Sequence, residues 1–401
     1  MPEQDPRPRI LVLTSTLPRW HGDATPAFVL DLCRELAREF DVHVLAPHAA
    51  GARRREDLNG VSVHRFRYLP EAWQTLAYDG GIPERLRRQP LALLQVPFFL
   101  IAQFFATLWL VWTLRPKVIH AHWILPQGVV ALLASGISPG RPPTLCTVHG
   151  TDLYGLNAGP LRWLKQLVLD RMATVAVVSE ATRAGVVALP VSPVKVQLAP
   201  MGADTHAVFY PPPEGSRRHD TAVFAGRLVA GKGVDILLRA WARISTAGRP
   251  LRLVIVGDGP ERAALESLVH KLDLRARVEF TGALPPAAVA DHFRAAGVAV
   301  FPFTGAEGLG LVVAEAQACG CPVIASDIPA MRDLIVPEVT GLITPPGDPA
   351  ALARALERVM QDAGLAQRIA RAGRTAALQK FNWTVAGNRY RELLRVLIQA
   401  G

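Results

Sequence analysis

The chain has 401 residues, too many for one ordinary core and enough for two domains of about 200 residues each. It carries 44 Lys+Arg against 34 Asp+Glu, is 50% hydrophobic and has four cysteines, which excludes both a disordered chain and a disulfide scaffold. The basic excess is spread evenly, 21 basic against 16 acidic residues up to position 208 and 23 against 18 beyond it, so neither half is a basic arm for nucleic acid.

In chain order, Met1 to Arg9 is polar and runs into Ile10–Leu13 without the long apolar core or cleavage site of a signal peptide, so a cytoplasmic protein is expected. Short β-type runs then alternate with helical patterns: Ile10–Leu13, a helix over Phe28–Glu39, Val42–Leu45, Val118–His120, Thr144–Val148 and Val175–Val178. Such alternation marks parallel βα units, hence α/β layers. The composition breaks at Phe209–Ser216, and a second series follows with Ala222–Ala225, Leu253–Val256, Val278–Phe280, Val298–Phe301 and Val323–Ala325. The pattern predicts two doubly wound, Rossmann-like domains facing a cleft: residues 1–208, a linker over 209–220, and residues 221–380, with a last helical stretch over 381–401. In such sheets ligands sit outside the carboxyl ends of the strands. The cysteines lie in apolar surroundings, and Cys319-x-Cys321 has neither zinc nor redox spacing, so all four are expected as reduced core thiols.

Leu91–Leu114 departs from this composition, with 24 uncharged residues rich in Phe and Trp between Arg85, Arg87, Arg88 and Arg115, Lys117. Its length would span a bilayer, but a span would put the strands at Ile10 and Val42 on the opposite side from their partners at Val118 and Thr144. That leaves a buried helix, an interfacial helix or a lining for a lipid. The basic flanks and tryptophans favour contact of residues 85–117 with a membrane surface.

The second series opens with Gly226-Arg-Leu-Val-Ala-Gly-Lys-Gly after its first strand. Glycines let the backbone approach a ligand, and Arg227 and Lys232 can grip a diphosphate from two sides. A βα turn with two solvated cations is the plain alternative. Farther on, Thr304-Gly-Ala-Glu307-Gly308-Leu309-Gly310 precedes a helical run containing Glu315. Gly308–Gly310 are expected as the helix's N-terminal turn, a site for an anion. With Glu307 on the loop, one carboxylate can meet a sugar hydroxyl and the other a ribose diol; a capping acid and a buried, hydrogen-bonded acid would also fit. His120-x-His122 reads as a strand end with both rings on one side rather than a metal site.

Together with Val256-Gly-Asp-Gly-Pro, Gly320-Cys-Pro-Val-Ile-Ala325, Gly341-Leu, Val148-His149-Gly-Thr-Asp152, Val178-Ser-Glu180 and Pro200-Met-Gly-Ala-Asp204, these elements resemble family 4 of the retaining glycosyltransferases (glycosyl transferases group 1), of GT-B architecture. The resemblance covers most of the chain. It implies that Gly226, Arg227 and Lys232 bind the donor diphosphate, that Glu315 takes the ribose hydroxyls, and that Glu307 contacts the transferred sugar. It also implies that the amides of Gly308, Leu309 and Gly310 hold the sugar or diphosphate, that His149 faces the sugar from the first domain, and that the last helix returns to that domain. Gly22, the one glycine where relatives carry two, is expected to approach the donor phosphate, and Ile328-Pro-Ala-Met replaces a glycine pair. Asp152 joins His122 and Gln127 as an acceptor-side candidate.

The expected activity is transfer of a hexosyl group, with retention, from a nucleoside-diphosphate-sugar to a lipid-linked or membrane-associated acceptor in surface polysaccharide or glycolipid synthesis. No cofactor is expected, and no metal, since the sequence has no Asp-x-Asp pair. The protein is expected on the cytoplasmic face of a membrane. A soluble acceptor, a non-catalytic nucleotide-sugar-binding protein and an epimerase are the alternatives; the Gly257-x-Gly259 fragment is too short to argue a dehydrogenase.

Overall fold

Each run read as a strand forms one, and the central runs are apolar throughout because helices cover both faces of their sheets. The computed structural model describes residues 7–400 apart from 21, 22, 24, 79–81, 83, 84, 87, 88, 156–158, 214–216 and 246–249. Two units follow, Met1–Met201 with Trp383–Gly401, and Gly202–Asn382.

The first unit contains β1 (Arg9–Leu13), α1 (Phe28–Leu36), β2 (Asp41–Pro47), β3 (Arg55–Asp57), β4 (Val61–Phe66), α2 (Val96–Leu114), β5 (Val118–His122), α3 (Val129–Ile137), β6 (Thr144–Val148), α4 (Thr151–Tyr154), α5 (Gly159–Arg171), β7 (Thr174–Val177), α6 (Glu180–Val187) and β8 (Val196–Leu198). The strand order is β3-β4-β2-β1-β5-β6-β7-β8, parallel except for the β3–β4 pair. Ile10 of β1 lies beside both Val42 and Val118, so the order reverses around β1, and the loops leaving β1 and β5 flank that switch point. The C-terminal helix Trp383–Ala400 belongs to this unit. Its buried Tyr390 hydroxyl donates to the Ala199 carbonyl at 3.1 Å, and Arg391 donates to the Glu35 carbonyl on α1 at 2.6 Å.

The second unit contains β9 (Arg218–Ala225), α7 (Val234–Trp241), β10 (Arg252–Val256), α8 (Arg262–Lys271), β11 (Val278–Gly282), α9 (Pro286–Ala295), β12 (Ala296–Phe301), α10 (Leu311–Ala318), β13 (Val323–Ser326), β14 (Leu342–Thr344), α11 (Pro349–Gln361) and α12 (Ala363–Lys380). The order β11-β10-β9-β12-β13-β14 is parallel throughout and reverses between β9 and β12. All four cysteines are buried and free.

The expected boundary at 208 and linker over 209–220 differ from this arrangement. The division falls at Met201, and the Pro-rich run is fastened to the second unit. Phe209 is buried, Arg294 stacks on Tyr210 at 4.3 Å, and Arg217 donates to the carbonyls of Phe293 and Ala296, each at 3.0 Å. β9 already begins at Arg218, so polar composition there marks a strand end whose carbonyl-rich surroundings are satisfied by arginine.

Helix α2 crosses from β4 to β5, two strands of one sheet with β2 and β1 between them, so it lies on that sheet despite being long and apolar enough to cross a membrane. Phe99, Leu110 and Val111 pack inward with Gln103 and Thr107, while Phe98, Ile101, Phe105, Trp109 and Trp112 face outward and are exposed. The helix is thus apolar on both faces and lacks the polar outer face of an ordinary surface helix. Of its basic flanks, Arg87 and Arg88 lie outside the described residues.

Candidate active site

At the switch point of the second sheet, the loops leaving β9 and β12 are locked to each other. The Gly231 carbonyl accepts from the amides of Thr304 and Gly305, both at 3.0 Å. Gly233 has φ 67°, and a Cβ there would stand 1.9 Å from the Pro302 carbonyl oxygen, so only glycine fits. Gly257 performs the same service on the other side, where a Cβ would stand 1.9 Å from the Gly226 oxygen. The Gly257-x-Gly259 pair therefore seats the β9 loop, against the Gly226 and Leu228 carbonyls.

This lock brings two of the expected residues into contact. Lys232 Nζ lies 2.8 Å from Glu307 Oε1, with both side chains less than a fifth exposed, and its ammonium sits 4.5 Å from the centroid of Phe303. Phe303 was not singled out from the sequence; an aromatic two positions beyond a strand, beside a loop lysine, is the available signal. Arg227 is exposed beside Gly226.

The sequence reading placed Gly308–Gly310 in the first helical turn, but α10 begins at Leu311. Gly310 is its left-handed cap at φ 77°, and Met331 lies beneath it, where a Cβ would meet the Met331 Cε at 2.4 Å. Gly308 and Leu309 are buried loop residues before the cap, so the amides at the start of α10 belong to Leu311 and its successors. Ile328-Pro-Ala-Met thus supplies packing under the loop. Glu307 is on the loop and Glu315 in the helix, one of the two arrangements open to that spacing. Burial raises the Glu315 carboxyl from 4.5 to about 7, and among the described residues it forms no ion pair.

In the first unit, β5 and β6 bring three histidines together. The rings of His120 and His122 are 4.4 Å apart and those of His122 and His149 5.2 Å, confirming that both β5 histidines point one way. His122 Nδ1 and His149 Nε2 share a hydrogen bond of 2.9 Å. His120 Nε2 bonds the Thr147 hydroxyl at 2.8 Å, which reaches Tyr390 at 3.3 Å. Burial drives His149 down to about 3 and His120, also facing His149, to about 3, so these imidazoles are neutral near pH 7. His149 alone of the three is part-exposed, between Phe28 and Trp123, with ring centroids at 5.3 and 4.9 Å.

The acceptor-side candidates fall differently from the expectation. His122 and Gln127 are fully buried, so neither side chain lines an open surface. The Gln127 amide, oriented to satisfy its neighbours, donates to the His122 carbonyl and accepts from the Ser15 amide, tying the β5 loop to the β1 loop. Asp152 accepts from the amides of Ile124 at 2.9 Å and His149 at 3.0 Å, joining the exits of β5 and β6. These three position the loops that carry His149. Lys165, also unforeseen, donates to the carbonyls of Leu153 and Gly155 from below. Gly22 lies outside the described residues.

Two largely parallel sheets, one with a paired cation and carboxylate at its switch point, define an α/β protein of doubly wound type, and comparison narrows the class. Residues 213–376 match the family model described as Glycosyl transferases group 1, and residues 25–202 that of Glycosyl transferase 4-like domain. The chain is 36% identical over 168 residues, 41% of this chain and 39% of the relative, to D-inositol 3-phosphate glycosyltransferase of Xylanimonas cellulosilytica. Over 210 residues, 49% of this chain and 55% of the relative, it is 32% identical to the GDP-mannose-dependent alpha-(1-6)-phosphatidylinositol monomannoside mannosyltransferase of Mycolicibacterium smegmatis. The chain thus spans about half the length of these curated relatives. Sucrose-phosphate synthase from Thermosynechococcus elongatus has a similar fold, with TM-score 0.80 and 25% identity over 98% of this chain and all of that one. The chain belongs to the glycosyl transferases group 1 family, and its fold is of the GT-B type.

Proposed function

We propose that the protein is a retaining glycosyltransferase that moves a hexosyl group from a nucleoside-diphosphate-sugar to a lipid-linked or membrane-associated acceptor. The observation that carries the donor half is the Lys232–Glu307 contact at the β9/β12 switch point, with Arg227 and Glu315 on the same two loop–helix connections. Departure of the diphosphate concentrates negative charge on its oxygens while the anomeric carbon becomes electron-poor. Lys232 and Arg227 offset the first charge and Glu307 the second, in a geometry held before the reaction begins. The cations take the charge-neutralising part that a metal would otherwise play, and the nucleotide-sugar is a substrate rather than a cofactor. The α10 amides join the cations on the diphosphate, and ionised Glu315 accepts from the ribose diol.

In the first unit His149 offers Nδ1 to a ligand, since Nε2 is engaged by His122. A neutral ring with so low a proton affinity is a hydrogen-bonding group, not a general base. The proton of the attacking hydroxyl passes to the departing diphosphate on the same face, which accounts for retention without a nucleophilic carboxylate on the far face. The apolar outward face of α2 supports a membrane-associated acceptor and a peripheral place on the cytoplasmic side of a membrane. The names of the two relatives divide between a soluble inositol phosphate and a phosphatidylinositol mannoside; α2 favours the second kind.

The test is nucleoside-diphosphate release from UDP-, GDP-, ADP- and TDP-sugars, with and without bacterial lipid extract. Release from one donor, stimulated by lipid, is the expected result. Release unaffected by lipid and driven by a soluble sugar would overturn the acceptor half, and no release from any donor would overturn the whole.

A further inference from the structure

Along one side of α2 the helix carries Ala102 and Ala106, four residues apart and therefore on one face. Their small side chains leave a groove of about 650 Å³ between the helix and the β3–β4 edge. Leu45, Phe66 and Leu110 contribute apolar lining, while Arg54, Arg55 and Arg67 are exposed on the strand side. Trp109 stands where the two sides meet, with the Arg55 guanidinium 5.1 Å from its ring centroid. The groove is therefore apolar on the helix side, cationic on the strand side, and continuous with the exposed face formed by Phe98, Ile101, Phe105 and Trp112.

The fourth arginine of the groove is not free to bind. Arg65 is buried against Glu56 at 2.9 Å, and also donates to the Pro18 carbonyl at 2.7 Å and to Tyr78 at 3.1 Å. Arg67 pairs with Glu71 at 2.8 Å across an exposed contact that an incoming phosphate can displace. His64 is held down to about 4 by burial, His43 and Arg55, so it adds no charge at neutral pH. Three solvent-facing guanidinium groups beside an apolar trough and an interfacial tryptophan complement one ligand chemistry, a phosphate joined to hydrocarbon.

We propose that this groove seats the headgroup phosphate of an anionic phospholipid in a bilayer surface, with the first methylenes of its chain along Ala102 and Ala106. The inference rests on the reading of α2 as a membrane-facing helix and adds to it a stoichiometric lipid site. Diffuse attraction would act through net charge alone; a seated phosphate needs the arginine fork and an open trough.

The test is flotation of the full chain with vesicles of phosphatidylcholine, or of phosphatidylcholine with 30% phosphatidylglycerol, chosen here as about a third anionic lipid. The wild type is expected to prefer the anionic vesicles by about tenfold or more. The triple change Arg54→Lys, Arg55→Lys, Arg67→Lys keeps the charge on exposed positions, and Ala106→Phe fills the trough. Each is expected to lose most of the anionic preference while keeping wild-type binding to neutral vesicles, with near-ultraviolet circular dichroism confirming the fold. If the lysine variant retains the wild-type preference, the seated phosphate is overturned although the membrane-facing reading stands. If Phe105→Ser with Trp112→Ser leaves binding to both vesicles unchanged, the membrane-facing reading itself falls. A concentration-dependent dimer lost in that serine variant, with no vesicle binding by the wild type, would overturn both in favour of a second copy of the chain.

Discussion

Lys232 is held by a carboxylate, so a diphosphate that takes its ammonium must take it from Glu307 at 2.8 Å. The two residues therefore respond differently to removal. Lys232→Ala is expected to lower kcat/KM about a hundredfold, as loss of one preorganised donor to developing charge does. Glu307→Gln releases the lysine to the donor; kcat is expected to fall about a hundredfold while KM stays level or drops. Steady-state kinetics checks both, and a Glu307→Gln enzyme with raised KM and unchanged kcat would contradict the assignment. Glu315 gives a pH signature. A carboxyl titrating at about 7 folded against 4.5 unfolded contributes stability that is fully present below about 4.5 and lost as pH rises through about 7. Glu315→Gln is expected to gain on the wild type across that window, by up to about 3 kcal/mol at pH 8 in urea unfolding. Because a ribose diol donates to the ionised form, donor binding is expected to release a proton near pH 6 and to tighten as pH rises through about 7. Calorimetry in buffers of different ionisation enthalpy reads that proton directly.

At the scale of elements, the β9 and β12 loops act as one body because glycine lets carbonyls and backbone pass within contact distance. Gly233→Ala and Gly257→Ala each place a methyl 1.9 Å from a carbonyl oxygen, and each is expected to lower apparent stability by about 2–4 kcal/mol. A urea midpoint within error of wild type for either would contradict the lock. Much of this level was legible in the sequence. Fully apolar runs such as Leu253–Val256 named the central strands, and of the two arrangements open to Glu307 and Glu315 the one with Glu307 on the loop and Glu315 in the helix is present. The start of α10 was displaced because Gly-Leu-Gly reads as a helical turn until Gly310 is seen to be the left-handed cap, with Met331 from a later segment packed against it. Strand β4 was passed over because its burial alternates, with Ser62 and His64 part-exposed, and β14 because it has only three residues. The acceptor-side candidates failed for another reason: residue type shows that His122, Gln127 and Asp152 are polar, but only packing shows that they are spent on neighbouring loops.

For the molecule as a whole, the chain builds the first sheet, then the second, and returns to complete the first unit with its last helix. Tyr390 is the pin of that return, fully buried and joined to Ala199 and, through Thr147, to His120. Tyr390→Phe leaves the packing and removes the hydroxyl, and is expected to lower apparent stability by about 1–2 kcal/mol. Deleting residues 383–401 is expected to abolish cooperative unfolding of the first unit while nucleotide binding by the second persists; simultaneous loss of both, followed by circular dichroism and nucleotide titration, would contradict the division into units. The central claim is that the β9/β12 switch point holds a nucleotide-sugar. Its most direct measurement is equilibrium binding of the four nucleoside diphosphates to wild type and Glu315→Ala. The account predicts saturable binding with a clear preference for one base, weakened about tenfold or more in the variant. No saturable binding, or equal affinity in wild type and Glu315→Ala, would contradict it.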